Sequence, residues 1–420
     1  MSAADAHLLR RRFLILRALR WLPTGLIIPV FILILLDRGL TLGQVGLVTA
    51  VQGGMVFLLE LPTGGLADAV GRRQTLLLAG AFDLMSVGLL IVADSVPLLV
   101  VVMALQGVYR ALESGPLDAW YVDAAQAADP DTDIESGLSG GGVVLGIAIA
   151  VGTLASGGLV AWAPIGAIDP LLNPVVVVLV LRVVEMVAIT MLMTQPVPSD
   201  QRPSYGETLR EVPTVIADAV RMVRASHVLL ALVAVEFLWG FGMIAFETYT
   251  PAKMNAVLGS ADQAAALLGP TNAGAWVISA AGAAMVPLVS RRISARWTAI
   301  LLRLAQGVVT VGIGVATGPV GVIVAYVLTL GVHGAANPVH QGLLHRAVTD
   351  PTRRATVLSA NSLTAHFGGA VGGIALGALA DATSLTTAIS AGAAVLAVAA
   401  PLYLIAPRTA PVSPEMSVPA

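Results

Sequence analysis

The chain has 420 residues, of which 57% are hydrophobic and 11% are charged, with a mean hydropathy of +0.87 and a formal net charge of −2. A soluble domain carries about 25% charged residues, so this composition excludes an ordinary water-soluble protein and indicates an integral membrane protein. The small net charge argues against nucleic acid as a partner, and the absence of cysteine excludes disulfides, thiolate catalysis and cysteine-ligated metals.

Apolar stretches long enough to cross the hydrocarbon core as a helix, about 20 residues, recur along the whole chain. Glycines, prolines and charges separate these stretches and predict an all-α protein with twelve transmembrane helices. The predicted spans are 14–36, 43–66, 75–94, 97–123, 137–162, 172–193, 229–251, 264–289, 298–316, 319–345, 356–380 and 384–406. Arg10, Arg11 and Arg12 precede the first run as in a signal peptide, but no small-residue cleavage site follows, so we expect a retained helix.

Basic residues lie mostly on one side of the predicted spans. The segments on the side of the N-terminus contain sixteen arginines, whereas the segments on the other side contain only Arg38 and Lys253. Basic loops stay in the cytoplasm. We therefore predict a multi-pass protein of the inner (plasma) membrane with cytoplasmic N- and C-termini.

A polar segment between the sixth and seventh spans divides the chain into halves. It opens with three prolines and continues with apolar residues at helical spacing among charges, which predicts an amphipathic helix at the membrane surface. The expected domains are an N-terminal six-helix bundle over 1–194, a cytoplasmic linker over 195–228, a C-terminal six-helix bundle over 229–406 and a cytoplasmic tail over 407–420. Gly331-Val332-His333 echoes Gly107-Val108-Tyr109, as expected of duplicated halves.

The stretch 64–73, Gly-Gly-Leu-Ala-Asp-Ala-Val-Gly-Arg-Arg, is expected to form a tight loop between the second and third spans. Asp68 is suited to accept hydrogen bonds at the N-terminus of a neighbouring helix, where the helix dipole favours negative charge. Arg72 and Arg73 are suited to pair with an acid at another helix end, and Asp123, at the end of the fourth span, is the best candidate. The alternative is a set of ordinary cytoplasmic arginines beside a solvated aspartate.

This stretch resembles the signature between the second and third helices of the major facilitator superfamily. Ala69 departs from the pattern, which has a basic residue there. The matching residues are Gly64, Leu66, Asp68, Gly71, Arg72 and Arg73. The resemblance implies the major facilitator fold, two pseudo-symmetric six-helix bundles. It also implies a cytoplasmic gate that is closed by contacts of Gly64, Asp68, Gly71, Arg72, Arg73 and Asp123 and opens as the carrier turns inward.

A narrower resemblance is to the twelve-span drug:proton antiporters of the multidrug efflux type in that superfamily. Pro23 and Pro29 in the first span match their paired prolines, and the fifth span is glycine-rich like their signature, although Thr153 and Leu154 replace its Gly-Pro pair. Arg110 follows a Gln-Gly pair instead of preceding it, two helical turns from the usual position. The glycines of the fifth and eleventh spans also favour close helix approach.

Charges inside the spans indicate an internal polar path, because each one disfavours insertion by about 2.5 to 3.5 kcal/mol. Arg110 and Glu113 are spaced to pair at i,i+3, with Asp118 further along the same span. Protonation of the carboxylate would break such a pair, as a proton-driven carrier requires. Glu236 and Glu247 lie among aromatic residues of the seventh span, an environment that suits an apolar cation.

Other polar residues in the spans allow two interpretations. Arg182 and Glu185 repeat the i,i+3 spacing and suit either proton coupling or a structural ion pair. Arg17 and Arg20 are expected to reach the lipid headgroups. His333 is able to relay protons, although hydrogen bonding to a neighbouring helix is the commoner role of such a histidine.

These features predict a secondary transporter, not an enzyme, that exports a small, largely apolar compound, a drug or natural product, in exchange for protons. The proposed path residues are Arg110, Glu113, Asp118, Glu236, Glu247 and His333. No cofactor or metal is expected. The expected partners are the small-molecule substrate, protons and the lipid bilayer, and the protein is expected to be a monomer. The alternatives are an importer or facilitator of a small metabolite, a transport-inactive membrane sensor or scaffold, and a membrane-embedded enzyme.

Overall fold

A computed structural model describes residues 3–129, 132–193, 205–290, 292–348 and 354–405. Within these residues twelve helices are long and apolar enough to cross a membrane, which confirms the predicted all-α class and the number of spans. The spanning helices are α1 His7–Asp37, α2 Leu42–Val70, α3 Arg72–Val92, α4 Val96–Ala127, α5 Ile134–Trp162, α6 Pro170–Leu192, α7 His227–Leu258, α8 Ala261–Ser290, α9 Ala295–Val315, α10 Pro319–Ala347, α11 Thr356–Ala382 and α12 Leu385–Ile405. A linker helix covers Tyr205–Ala225, as the apolar spacing predicted.

Among the described residues, three spanning helices consist of two α-helical segments each. The segments are Ala3–Ile27 and Phe31–Asp37 in α1, Val96–Glu113 and Pro116–Ala128 in α4, and His227–Glu247 and Tyr249–Leu258 in α7. Pro29 lies in the turn that interrupts α1, where a residue without a backbone N–H cannot continue the helical hydrogen-bond ladder. The interruption of α4 lies next to charged residues.

The chain forms two compact units. Unit 1 comprises Met1–Thr214 with Ser260–Ala273, and unit 2 comprises Val215–Gly259 with Gly274–Ala420. In unit 1, α1 packs on α5 and α6, and α3 packs on α4 and α6. In unit 2, α7 packs on α11 and α12, and α9 packs on α10 and α12. The same order of helix pairs therefore occurs in both units, as expected of duplicated halves.

An apolar cluster fixes the second segment of α4 within unit 1. Trp120 and Tyr121 of this segment are buried with Phe13 of α1 and Met193, which directly follows α6. The rings of Phe13 and Tyr121 stack with their centroids 4.4 Å apart. Burial of such large side chains stabilises the segment in one orientation, and that orientation determines where its acidic residues point.

Glycines allow the backbones of α1 and α5 to approach closely. A Cβ atom on Gly152 of α5 would lie 2.5 Å from the carbonyl oxygen of Leu22 in α1. In unit 2, a Cβ atom on Gly368 of α11 would overlap the carbonyl oxygen of Phe237 in α7. Both contacts would be closer than any ordinary contact, so each helix pair requires glycine at this position.

Candidate functional site

The junction between α2 and α3 is a single residue. Helix α2 continues to Val70 and α3 begins at Arg72, so only Gly71 lies outside a helix, with a φ angle of 109° that favours glycine. The expected loop over 64–73 is therefore wrong. Residues 66–70 include neither glycine nor proline, and nothing ends the helix before Gly71.

Ion pairs at this junction join α3 to α4. Arg72 Nε lies 2.9 Å from Asp123 Oδ2, and Arg72 Nη1 lies 3.2 Å from Asp68 Oδ1. The Arg72–Asp123 contact expected from the sequence is thus present. Of the other residues expected at the gate, Gly64 lies on an exposed side of α2 and Arg73 is half-buried. The structure therefore brings together Asp68, Arg72 and Asp123.

The interruption of α4 lies between Glu113 and Pro116. Gly115 has a φ angle of 94°, and Pro116 is the first residue of the second segment, where its missing N–H costs no helical hydrogen bond. Glu113 is the last residue of the first segment. The local sequence thus places a carboxylate directly before the interruption of the helix.

A group of polar side chains lies buried near the middle of α1, α3, α4 and α6. We call it the unit 1 charge cluster; its members are Arg20, Asp83, Tyr109, Glu113, Arg182 and Glu185. The exposed fraction of the Glu113 side chain is 14%, and those of the other four charged side chains are 6% or less. Two guanidinium groups therefore face three carboxylates in a membrane interior, with a tyrosine among them.

Arg20 of α1 is the cation shared by α4 and α6 in this cluster. Its Nη2 lies 2.6 Å from Glu113 Oε2, and its Nη1 lies 3.6 Å from Glu185 Oε1. It also donates a hydrogen bond to the Tyr109 hydroxyl and stacks over the Tyr109 ring, 4.4 Å from the centroid. One side chain therefore holds three helices together.

Arg182 of α6 is the second cation of the cluster. Its Nε pairs with Asp83 of α3, and its Nη1 lies 2.5 Å from Glu185 Oε2 and donates to the carbonyl oxygen of Arg20. The Arg182–Glu185 pair expected from the i,i+3 spacing is thus present, within a larger network than the spacing predicted. Buried carboxylates are stable only when they are paired in this way.

Three expectations for unit 1 are corrected. Arg110 and Glu113 do not form an ion pair among the described residues, because Glu113 pairs with Arg20. Arg20 does not reach the headgroups, since its charge is satisfied inside the unit. Arg17 also pairs internally, with its Nη1 2.7 Å from Asp118 Oδ1 on the second segment of α4.

Arg110 has a different environment from these paired arginines. Its guanidinium carbon lies 5.9 Å from the centroid of the Trp21 ring on α1. Glu60 of α2 is near enough for electrostatic attraction, but no carboxylate oxygen of the described residues lies within 4 Å of the Arg110 nitrogens. Thr63, one turn beyond Glu60, donates to the Ala111 carbonyl at 2.8 Å and fixes α2 against α4 at this level.

Unit 2 contains a smaller buried polar group. Oε2 of Glu236 on α7 lies 3.2 Å from Nε2 of His340 on α10, and His340 Nδ1 is hydrogen-bonded to the Tyr403 hydroxyl at 2.8 Å. Asn361 of α11 lies near Glu236. Arg303 of α9 is also buried and donates to its neighbour Gln306 at 2.9 Å. Glu236 is thus an interior group, as its position in the sequence suggested.

The remaining predicted residues of unit 2 lie elsewhere. The imidazole of His333 stacks on the indole of Trp239 at 5.4 Å between centroids and lies 6.0 Å from the Phe246 ring. His333 Nδ1 is buried and has no hydrogen-bond partner among the described residues. Glu247 is exposed, at the end of the first segment of α7. His333 and Glu236 therefore belong to two different polar groups.

Some residues of the unit 1 charge cluster and of the buried polar group in unit 2 were not predicted from the sequence to be part of a site. They are Arg20, Asp83, Tyr109, Arg303, His340 and Tyr403. A signal was available for Asp83, which lies well inside the predicted span 75–94. Tyrosines carry no such signal, since the membrane interface accommodates them equally well.

The comparisons with known proteins identify the class. Residues 13–348 match the family model of the Major Facilitator Superfamily, and the chain belongs to this superfamily of membrane transporters. It is therefore a transporter and not an enzyme. No curated protein matches this chain at a significant level.

Solved structures of low sequence identity share the fold. The nucleoside transporter NupG is 13% identical, with a TM-score of 0.77 over 94% of this chain and 98% of that chain. A bacterial homolog of the human lysosomal transporter Spinster is 14% identical, with a TM-score of 0.73 over 96% and 97%. The human organic anion transporter MFSD10 is 14% identical, with a TM-score of 0.61 over 96% and 100%.

Proposed function

We propose that this transporter exports a small, largely apolar compound, such as a drug or natural product, from the cytoplasm in exchange for protons. The observation that supports proton coupling is the unit 1 charge cluster. Its charges balance when one of its three carboxylates carries a proton, and an uncompensated charge is costly in a membrane interior. A cluster of this composition is therefore suited to exchange one proton.

Glu113 is the best candidate for the proton-carrying group of the cluster. Its side chain is the most exposed of the three carboxylates, at 14% against 6% for Glu185 and 1% for Asp83. Its cation within the cluster is Arg20, whereas the other two carboxylates both contact Arg182. Protonation of Glu113 would thus remove the ion pair that joins α1 to α4 beside the interruption of α4.

We further propose that Asp68, Arg72 and Asp123, with Gly71 at the turn, form a gate on the cytoplasmic side of a plasma-membrane protein. The ion pairs of Arg72 support this role, because they join α2, α3 and the second segment of α4 at one end of unit 1. Asp118 is part of the same segment, and its pair with Arg17 holds that segment against α1.

The path residues of unit 2 are proposed on chemical grounds. Glu236 lies 3.2 Å from the titratable imidazole of His340, a pairing suited to proton exchange. His333 and Trp239 present stacked rings to an unsaturated substrate. Glu247 is proposed as a substrate- or proton-facing acid because it is exposed beside this aromatic group.

The direction of the pH gradient that drives accumulation of substrate tests this proposal. Purified protein in proteoliposomes is offered a panel of lipophilic drugs, organic acids and nucleosides, and the contents are measured by mass spectrometry. An exchanger accumulates its substrate when the lumen is the acidic side, because protons leave as substrate enters, whichever way the protein is inserted. If accumulation is the same with an acidic lumen, with an acidic exterior and without a pH gradient, proton coupling is contradicted.

An importer of a small metabolite is the second candidate, and the fold shared with the nucleoside transporter NupG favours its inclusion. A proton-driven importer carries substrate and proton in the same direction. It would accumulate its substrate when the exterior is the acidic side, the opposite of the result expected for export by exchange.

A further inference from the structure

Arg110 is distinguished from the other arginines that lie away from the ends of the spans by what surrounds it. Arg17, Arg20 and Arg182 each contact a carboxylate, and Arg303 donates to Gln306. Arg110 lies near the Trp21 ring, and Glu60 is close enough to attract it electrostatically, but no carboxylate of the described residues forms an ion pair with it. A half-buried guanidinium without a directly bonded anion is costly in a membrane interior, which suggests that an anion binds at this position during the transport cycle.

Other polar atoms near Arg110 also lack partners. The indole Nε1 of Trp21, Oε1 of Gln106 and Oε2 of Glu60 are buried and form no hydrogen bond among the residues that the structure describes. Gln106 lies one turn before Arg110 on the same helix, and Glu60 is held near it by the Thr63 contact between α2 and α4. We call Trp21, Glu60, Gln106 and Arg110 the Arg110 subsite.

We propose that the Arg110 subsite binds the acidic group of an amphiphilic monovalent organic acid, which is the substrate of the transporter. Arg110 binds the anion, the Trp21 N–H donates to it, and the Trp21 ring packs against the adjacent apolar part of the molecule. Glu60 disfavours a second negative charge, which sets the preference for a monoanion. This inference rests on the proposed function and narrows its substrate from largely apolar compounds to those with one acidic group.

The subsite is separate from the unit 1 charge cluster in its contacts. Arg20 and Trp21 are neighbours in the chain, but Arg20 contacts Tyr109, Glu113 and Glu185 whereas Trp21 lies under Arg110. Substitutions at Arg110 are therefore expected to change ligand preference and leave the ion pairs of the cluster intact.

Binding to the purified protein tests the inference independently of transport. The probes are naphthylacetate, ibuprofen and decanoate, each compared with its uncharged amide, and the readout is the ligand concentration needed for half-maximal thermal stabilisation. At least one acid is expected to bind at least about tenfold more tightly than its amide, as the loss of a charge-assisted hydrogen bond implies. If no acid is preferred to its amide, the inference is wrong.

Variants test whether the preference for an acid over its amide arises at the Arg110 subsite. Arg110→Gln is expected to abolish the difference between acid and amide, Arg110→Lys to retain part of it, and Trp21→Phe to weaken the acid more than the amide. Arg346→Gln, at an exposed position of α10, is the matched control and should change neither. An acid preference that survives in Arg110→Gln, or that Arg110→Lys loses completely, would contradict the inference.

The two proposals fail in different ways. If pH gradients drive no accumulation but the acid preference depends on Arg110, the coupling is wrong and the subsite stands. If gradients drive accumulation of neutral compounds and Arg110→Gln has no effect on selectivity, the subsite is wrong and the coupling stands.

Discussion

The guanidinium of Arg20 and the carboxylate of Glu113 lie 2.6 Å apart and join α1 to the last residue of the first segment of α4. The contact is buried, and the positively charged partner already faces a second carboxylate, Glu185. Neutralising Glu113 therefore leaves Arg20 with an anion, and removing Arg20 leaves Glu113 without one. This asymmetry makes Glu113 the residue at which proton coupling is most directly tested.

Glu113→Gln is expected to abolish accumulation driven by a pH gradient and to preserve exchange of substrate down its own gradient, because the amide keeps the shape but cannot titrate. The measurement is uptake into proteoliposomes with and without a pH gradient. Glu135→Gln, an exposed glutamate in the first turn of α5, is the matched control and should behave as wild type. Unchanged gradient-driven uptake by Glu113→Gln would show that the coupling proton is held elsewhere.

Exchanging the charges of Arg72 and Asp123 is expected to distinguish the effect of this ion pair from general effects of charge. Arg72→Asp and Asp123→Arg should each alter transport, and the double variant should recover part of the wild-type rate, with a coupling energy of about 0.2 to 1 kcal/mol for this partly exposed pair. Rates are measured in a double-mutant cycle. Arg73→Asp is the control; an equally large effect there would argue against a specific Arg72–Asp123 contact.

Breaking the Arg182–Asp83 pair is expected to destabilise unit 1. Arg182→Gln removes one of the two cations that face three buried carboxylates, and an uncompensated buried charge costs about 3 to 5 kcal/mol, so this variant should lower the thermal midpoint in detergent. Arg221→Gln removes an exposed pair with Asp218 on the linker helix and should leave the midpoint unchanged. A midpoint of Arg182→Gln equal to that of wild type would contradict the importance of Arg182 for the stability of unit 1.

Gly152→Ala is expected to lower the thermal midpoint because its Cβ would lie 2.5 Å from the Leu22 carbonyl oxygen. Overpacking of this kind costs about 1 to 3 kcal/mol. Gly158, on the same helix, has open space at the corresponding position. Gly158→Ala should therefore be neutral or stabilising, since alanine is the better helix former. Equal effects at the two glycines would contradict the close approach of α1 and α5.

The proposed orientation is testable with single cysteines, because the chain has none of its own. Asp94 follows α3 and Glu135 begins α5, and both side chains are exposed. A membrane-impermeant maleimide added to intact cells should label Asp94→Cys and should label Glu135→Cys only after the cells are permeabilised. The reverse pattern would place the termini outside.

The sequence predicted those features of this fold that depend on composition along one helix. Hydropathy located all twelve spans, and the i,i+3 spacing identified the Arg182–Glu185 pair. The same spacing led to a wrong prediction for Arg110 and Glu113. Spacing along one helix shows which side chains can meet, but not whether a side chain of another helix lies nearer. Arg20 precedes Glu113 by 93 positions in the chain, and only the packing of α1 against α4 brings the two together.

The turn between α2 and α3 illustrates the same limit on a smaller scale. The glycines at 64 and 65 and the charges after them indicate a loop, yet both glycines lie within the helix, and the chain turns at Gly71. A glycine inside a helix costs about 1 kcal/mol, an amount that packing against neighbours readily offsets. Propensity therefore placed the turn in the correct region but not at the correct residue.

The second segment of α4 has the geometry of a short lever. It is anchored at Gly115, and Asp123 lies eight residues further on, about 12 Å along a helix. A rotation of about 10° at the glycine would displace Asp123 by about 2 Å. A displacement of that size would lengthen the 2.9 Å contact with Arg72 beyond hydrogen-bonding range. A small rotation of the backbone beside Glu113 would therefore break an ion pair at the far end of the segment.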